Sequence, residues 1–201
     1  MSDGVGAQRA LGAGDGPIVI VEYEPSWPRA FADERERISP LLPGLPIHHI
    51  GSTAVPGLPA KECLDALVRV RDLRDAHGLV AAGYRERPEP WNREEVTDGR
   101  TFPKRVFAPP AGERSANVHV RLDGGANARF ALLFRDFLRA DHEARDHWGA
   151  FKRRLAQAVP DLSEYGQVKA AAYPLLMRAA EAWAVDTAWD PAATLVPRPD
   201  M

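Results

Sequence analysis

The chain has 201 residues, and its 26 Lys and Arg against 28 Asp and Glu leave a formal net charge of -2. That length suits one ordinary domain with tails, and the near-neutral balance argues against duplex nucleic acid or an anionic membrane as a partner. Hydrophobic residues reach 45%, enough for a core, while a single cysteine, Cys63, excludes an internal disulfide framework and a Cys-rich zinc site. No apolar run approaches the roughly 20 residues of a membrane-spanning helix. The start, MSDGVGAQRALGAGDGP, is small, polar and Gly-rich, not a charged segment followed by an apolar one, so the expected location is cytoplasmic.

Residues 1–16 carry five glycines and read as a flexible tail, residues 17–185 as one folded domain, and residues 186–201 as a second tail. IVIVEY (Ile18 to Tyr23) is β-branched and predicts a strand. Ser26 before Trp27 and Pro28 predicts a helix start, and Trp27, Phe31 and Ile38 continue its apolar stripe as far as Pro40. IHHI (Ile47 to Ile50) and CLDALVRV (Cys63 to Val70) predict two strands around the Gly- and Pro-punctuated loop GSTAVPGLPAKE. A helix is expected from about Leu73 to Ala82, a further strand at YRER, and a mobile loop from Pro88 to Gly99. TFPKRVFA and ANVHVRL predict two more strands. After Gly125 the pattern is helical, with stripes through Phe134 and Phe137, Trp148 and Phe151, and Tyr165 and Val168. Pro174 is expected to kink or restart the last helix. Strands with one inserted helix, followed by a run of helices, predict an α+β class.

The most informative piece is HHIGSTAVPGLPAKECLDALV. A strand ending in Gly51-Ser52 can offer backbone N–H groups and a hydroxyl to a phosphate, although an ordinary turn capped by Ser52 or Thr53 uses the same residues. Asp65 follows on the next strand among Leu64, Ala66, Leu67 and Val68. A carboxylate there is costly unless it is metal-bound or paired, for instance with Lys61 or Arg69. Glu62 points to the opposite face in a regular strand. Cys63 reads as a small buried hydrophobe rather than a nucleophile, because a neighbouring carboxylate raises a thiol pKa. His119 shares a strand face with Asn117 and Arg121 and can approach Asp65 if the two strands are neighbours. Lys104, Arg105 and Arg135 are candidate phosphate neutralisers. Lys152 reads as part of a charged outer face, Arg139 and Glu143 as a surface pair, and Trp27, Trp148 and Trp183 as core anchors.

Read together, these motifs resemble the GrpB-like family, a branch of the nucleotidyltransferase fold also found fused to some bacterial dephospho-coenzyme A kinases. The residues that carry the resemblance are Tyr23, Pro25, Trp27 and Pro28, the unbroken run His49 to Leu58, and Ala60, Lys61 and Asp65. Asn117-Val118-His119-Val120, Phe134 to Arg139, and the Tyr165–Lys169 spacing extend it over about residues 17–185. The chain departs from the family pattern at Glu62, where a proline is usual, and at Asn117, where a histidine is usual. It also has Cys63 at the first of the two acid positions of the nucleotidyltransferase fold.

The resemblance implies a nucleotidyltransferase-like mixed sheet packed by helices, with a helical C-terminal part. It also implies a cleft for a small phosphate-bearing ligand, such as a nucleotide or coenzyme. In that picture Gly51, Ser52, Thr53, Lys61, Lys104, Arg105, Arg135 and Lys169 face phosphate, Asp65 holds Mg²⁺, and Asp65 and His119 serve transfer of a nucleotidyl group to a small acceptor. Two other readings stay open: a non-catalytic module for a nucleotide or coenzyme A-like ligand, and an enzyme with a repurposed acid–base pocket built on His119 and Asp65.

Overall fold

The computed structural model describes residues 18–191, so both predicted tails lie outside the described residues, apart from residues 186–191. Helix α1 spans Trp27–Ile38 with Pro28 in its first turn and buries Trp27, Phe31, Glu34 and Ile38, the stripe expected from the sequence. Six strands follow: β1 Ile47–Ile50, β2 Leu64–Val70, β3 Arg85–Glu86, β4 Glu94–Thr97, β5 Arg100–Ala108 and β6 Ala116–Leu122. Helix α2 (His77–Ala81) lies between β2 and β3, and α3 (Ala126–Ala140), α4 (His142–Ala158) and α5 (Leu162–Asp186) close the fold. The class is α+β.

The sheet runs β1-β2-β6-β5-β3, with β4 paired to β5. β2 and β6 are parallel and the remaining pairs antiparallel, so the sheet is mixed. Alternation decides what each face carries. Ala66, Val68, Val70, Val118, Val120 and Phe107 form one face and pack under Phe31 and Ile38 of α1. Asp65, Asn117, His119 and Arg121 fall on the other face, toward α3, α4 and α5. These helices bury Phe134, Phe137, Leu138, Trp148 and Met177 against Val55 and Leu58 of the loop after β1. The loop is thereby clamped between the sheet and the helical layer, and its polar groups are fixed in place.

Several expectations need correction. IVIVEY forms no strand; its one sheet contact is an isolated bridge between Val21 and Ala60, because its neighbour is loop backbone and not a strand. The expected mobile loop from Pro88 to Gly99 contains a short 3₁₀ turn and β4, whose Glu94, Glu95 and Val96 pair with β5. The helix predicted over Leu73–Ala82 is a 3₁₀ turn capped by Asp72 that leads into the five-residue α2. Pro174 does not restart the last helix; α5 continues through it.

Two neighbouring histidines make this scaffold sensitive to acid. His48 is buried on the helical side of β1, and His49 stacks on Phe31 at 4.3 Å on the other side. Burial pushes both below the ordinary 6.5, to about 4. Both are neutral in the folded chain where the unfolded chain already binds protons. Stability is therefore full above pH 6.5 and falls as pH drops toward 4, by about 1.4 kcal/mol per pH unit for each histidine. Urea midpoints measured from pH 7 to 5 should fall steeply, and His49→Gln should remove about half of that slope. A flat profile contradicts the burial argument.

Candidate functional site

Gly51 turns the chain out of β1 at φ 71° and ψ -169°, a conformation that is essentially glycine's alone. A side chain is also excluded by space, since a β-carbon there would stand 2.4 Å from Asp65 Oδ2. The turn and the acid on β2 are therefore packed against each other. Asp65 pairs in register with Asn117 of β6, and its Oδ1 accepts from Asn117 Nδ2 at 3.0 Å and lies 3.1 Å from His119 Nε2. These partners replace the ion pair expected with Lys61 or Arg69; Arg69 instead lies 3.5 Å from Asp123.

Burial works to raise the Asp65 carboxyl, but the hydrogen bond and charge of His119, the Asn117 amide and the charge of Lys169 outweigh it and hold the group below the ordinary carboxylate range. His119 is pushed down by burial, partly offset by Asp65. An ionised carboxylate can only accept, so His119 donates its Nε2–H to Asp65.

A cavity of about 290 Å³ opens between this sheet face and the helices. Gly51, Ser52, Thr53, Lys61, Cys63, Asp65, Asn117, His119 and Lys169 all line it, so the turn and Asp65 do share one crevice. Its opposite wall is aromatic, with Phe130, Phe134, Trp148 and Tyr173. Thr53 is buried, with Oγ1 3.0 Å from His49 Nε2. Cys63 is half-buried and lines the crevice rather than a core, and burial followed by the charge of Asp65 raises its thiol.

The charge along the crevice is uneven. At one end Arg121 lies 2.8 Å from Glu95 and donates to the Asn127 carbonyl, while Lys104 lies 3.5 Å from Glu95. There both cations are engaged by one carboxylate. At the other end stand Lys61, Lys152 and Lys169, and among the described residues none of them has a carboxylate within ion-pair distance. Lys169 is pushed down by burial and then by the charge of Lys61, and Lys152 well down by burial and then by Lys169.

Lys152 was expected on a charged outer face, yet it is 2% exposed. Its Nζ lies 2.8 Å from Ser52 Oγ and also donates to the Pro59 carbonyl. Gly149 makes this possible, because a β-carbon at that position would stand 2.8 Å from the Pro59 ring. The missing side chain lets α4 settle on the loop, and Lys152, three residues on, reaches the turn. The sequence did carry a signal: Lys152 lies four residues after Trp148 and three before Leu155, within the buried stripe.

Three other candidates stand apart from the crevice. Arg105 lies on the opposite face of the sheet from His119, where it holds Glu86 at 2.7 Å and donates to the Leu73 carbonyl. Lys104 shares the face of Arg121 but is engaged with Glu95. Arg135 is 5% exposed and is used structurally, donating to both Asp136 oxygens and to the His49 carbonyl. Arg139 does not pair with Glu143; it donates to the Ala54 carbonyl. Of the expected core anchors, Trp27 and Trp148 are buried and Trp183 packs against the helical cluster.

The residues present do not fit a resident Mg²⁺. Such an ion takes one or two carboxylates in open octahedral geometry. Here one Asp65 oxygen already takes two partners, the other is packed against Gly51, and the charged side chains of that end of the crevice are lysines, which repel a cation. Among the described residues, no three His, Cys, Asp or Glu side chains group as metal ligands.

A mixed sheet with a Gly-Ser turn leaving one strand, an acid facing it from the next and a helical layer over both defines an α+β protein with a lysine-lined crevice. The chain belongs to the GrpB family, whose model, described as GrpB protein, matches residues 17–178. It is 35% identical over 172 residues to UPF0157 protein BH1888 of Halalkalibacterium halodurans, covering 82% of this chain and 83% of that protein. It is also 35% identical over 198 residues to a dephospho-CoA kinase of Mycolicibacterium paratuberculosis, covering 87% of this chain but 49% of the kinase. Among solved structures, that of conserved protein GrpB from Enterococcus faecalis superposes with a TM-score of 0.67 at 27% identity, over 82% of this chain and 99% of that one.

Proposed function

We propose that the crevice binds a small phosphate-bearing ligand, a nucleotide or a coenzyme A-like molecule, through Ser52, Lys61, Lys152 and Lys169, without a resident metal. The observation that carries this reading is the group of three lysines beside the Gly51-Ser52 turn, to which no carboxylate among the described residues is paired. Gathering like charges in a half-buried cavity is costly, and an anion entering the cavity relieves that cost. An anion beside Lys152 also favours its charged form, so binding takes up a proton. The aromatic wall of Phe130, Phe134 and Tyr173 offers an apolar surface to a nucleobase or pantetheine-like arm. Asp65 and His119 form the polar floor. Nucleotidyl transfer is the activity the family resemblance implies, and a single carboxylate is a weak basis for it.

Thermal unfolding with ATP, ADP and coenzyme A, each with EDTA or with MgCl₂, tests the proposal. The expected result is a rise in Tm that persists in EDTA and in Asp65→Asn. A rise that requires Mg²⁺ and disappears in Asp65→Asn overturns it in favour of a metal-bound nucleotide. No rise with any of these ligands overturns it in favour of acid–base chemistry on His119 and Asp65.

A further inference from the structure

The contact between Ser52 and Lys152 supports a chemistry that phosphate binding does not use. Lys152 Nζ touches two partners, the Pro59 carbonyl and Ser52 Oγ at 2.8 Å. Among the described residues no carboxylate touches it; the charges that act on it are Lys169 and Arg153, opposed by Asp65. Burial among cations favours the free amine, which has two N–H groups and one lone pair. A carbonyl oxygen can only accept, so one N–H goes to Pro59. The lone pair is then available to Ser52, whose hydroxyl can donate to it. Ser52 lines the crevice directly after Gly51, which presents no β-carbon beside it, and the aromatic wall lies across the same cavity.

We propose that Ser52 and Lys152 form a nucleophile–base pair able to accept an acyl group from an ester or thioester lodged in the crevice. Ser52 Oγ bonds to the carbonyl carbon while its proton passes to Lys152 Nζ. The tetrahedral adduct then breaks its bond to the alcohol or thiol oxygen or sulfur, and that leaving group takes the proton from Lys152. Water attacks the acyl-serine with Lys152 again holding the transferred proton, and Ser52 leaves with its proton restored. The sum is ester plus water to carboxylic acid plus alcohol, or the thiol equivalent, with no redox change. The step needs no phosphate, so it stands or falls separately from the ligand reading above.

The test treats the full chain with p-nitrophenyl acetate and with an alkyl fluorophosphonate, reading p-nitrophenol release and locating the adduct by peptide mass spectrometry. The expected result is one adduct on Ser52, absent in Ser52→Ala and slowed at least 100-fold in Lys152→Met, with a rate in the parent protein that rises with pH to a midpoint below the ordinary lysine value of 10.5. Lys152→Arg, which keeps a donor and charge but cannot serve as base at neutral pH, provides a second variant should Lys152→Met fail to fold; it too should be unreactive. No adduct in the parent protein, an adduct on Cys63 or Lys169 instead, or equal rates in a folded Lys152 variant each overturns the proposal. If neither variant folds, a parent rate that does not level off with pH overturns it as well.

Discussion

Replacing Gly51 by alanine is expected to cost at least about 4 kcal/mol of stability and to abolish ligand binding at the crevice. The backbone there has φ 71° and ψ -169°, so an L side chain is strained whatever surrounds it. The space is also filled, because the new methyl would stand 2.4 Å from Asp65 Oδ2. Relief requires Asp65 to swing away from Asn117 and His119, breaking both contacts that hold the carboxylate. Losing a hydrogen bond to a buried charge costs about 1.5–3 kcal/mol, comparable to the backbone strain itself. Urea unfolding reads the stability and an ATP titration reads the binding. A variant within about 0.5 kcal/mol of the parent would mean that the turn and Asp65 are not locked together.

The second large effect concerns the lysines. Lys169→Met should weaken nucleotide binding about tenfold to a hundredfold, the value of one charge-assisted hydrogen bond to phosphate. It should leave stability level or raise it, because a like charge is removed from beside Lys61 and Lys152. That opposition of signs is diagnostic: a lysine serving the fold loses stability when truncated, whereas a lysine held ready for an anion loses affinity. Isothermal titration with ATP and urea unfolding of the same variant measure the two. Unchanged affinity, or stability lost together with affinity, contradicts the assigned role.

Much of this site can be read from the sequence, and the parts that cannot have identifiable causes. Gly51, Ser52 and Asp65 meet because a tight turn leaves β1 and alternation points Asp65 to the same side; both facts follow from local chemistry. His119 joins them because β6 lies parallel to β2, which alternation alone does not specify. Lys152 and Arg135 depart from the expectation for a shared reason: each sits at helical spacing inside an apolar stripe, where position outweighs charge. In the folded chain Lys152 reaches a loop carbonyl and a hydroxyl about 100 residues away in sequence, and Arg135 reaches the backbone of β1. No local pattern contains such partners.

Strand β4 shows the converse. Glu94-Glu95-Val96-Thr97 looks like solvated loop, yet it pairs with β5, and its Glu95 is the carboxylate that engages both Arg121 and Lys104. That pairing leaves the lysine end as the part of the crevice whose cations have no carboxylate partner among the described residues. The IVIVEY segment had the stronger strand composition but found only loop backbone beside it. Composition favoured the wrong segment because strand formation depends on a partner edge, and the partner is set by the tertiary fold.

The measurement that tests the central claim most directly is a crystal structure grown with ADP in the presence of EDTA. A phosphate within hydrogen-bond distance of Ser52 Oγ, Lys152 Nζ and Lys169 Nζ, with no metal between it and Asp65, is the expected result. Phosphate density bridged to Asp65 by a cation when Mg²⁺ is supplied and absent without it, or ADP bound only outside this crevice, would contradict the account.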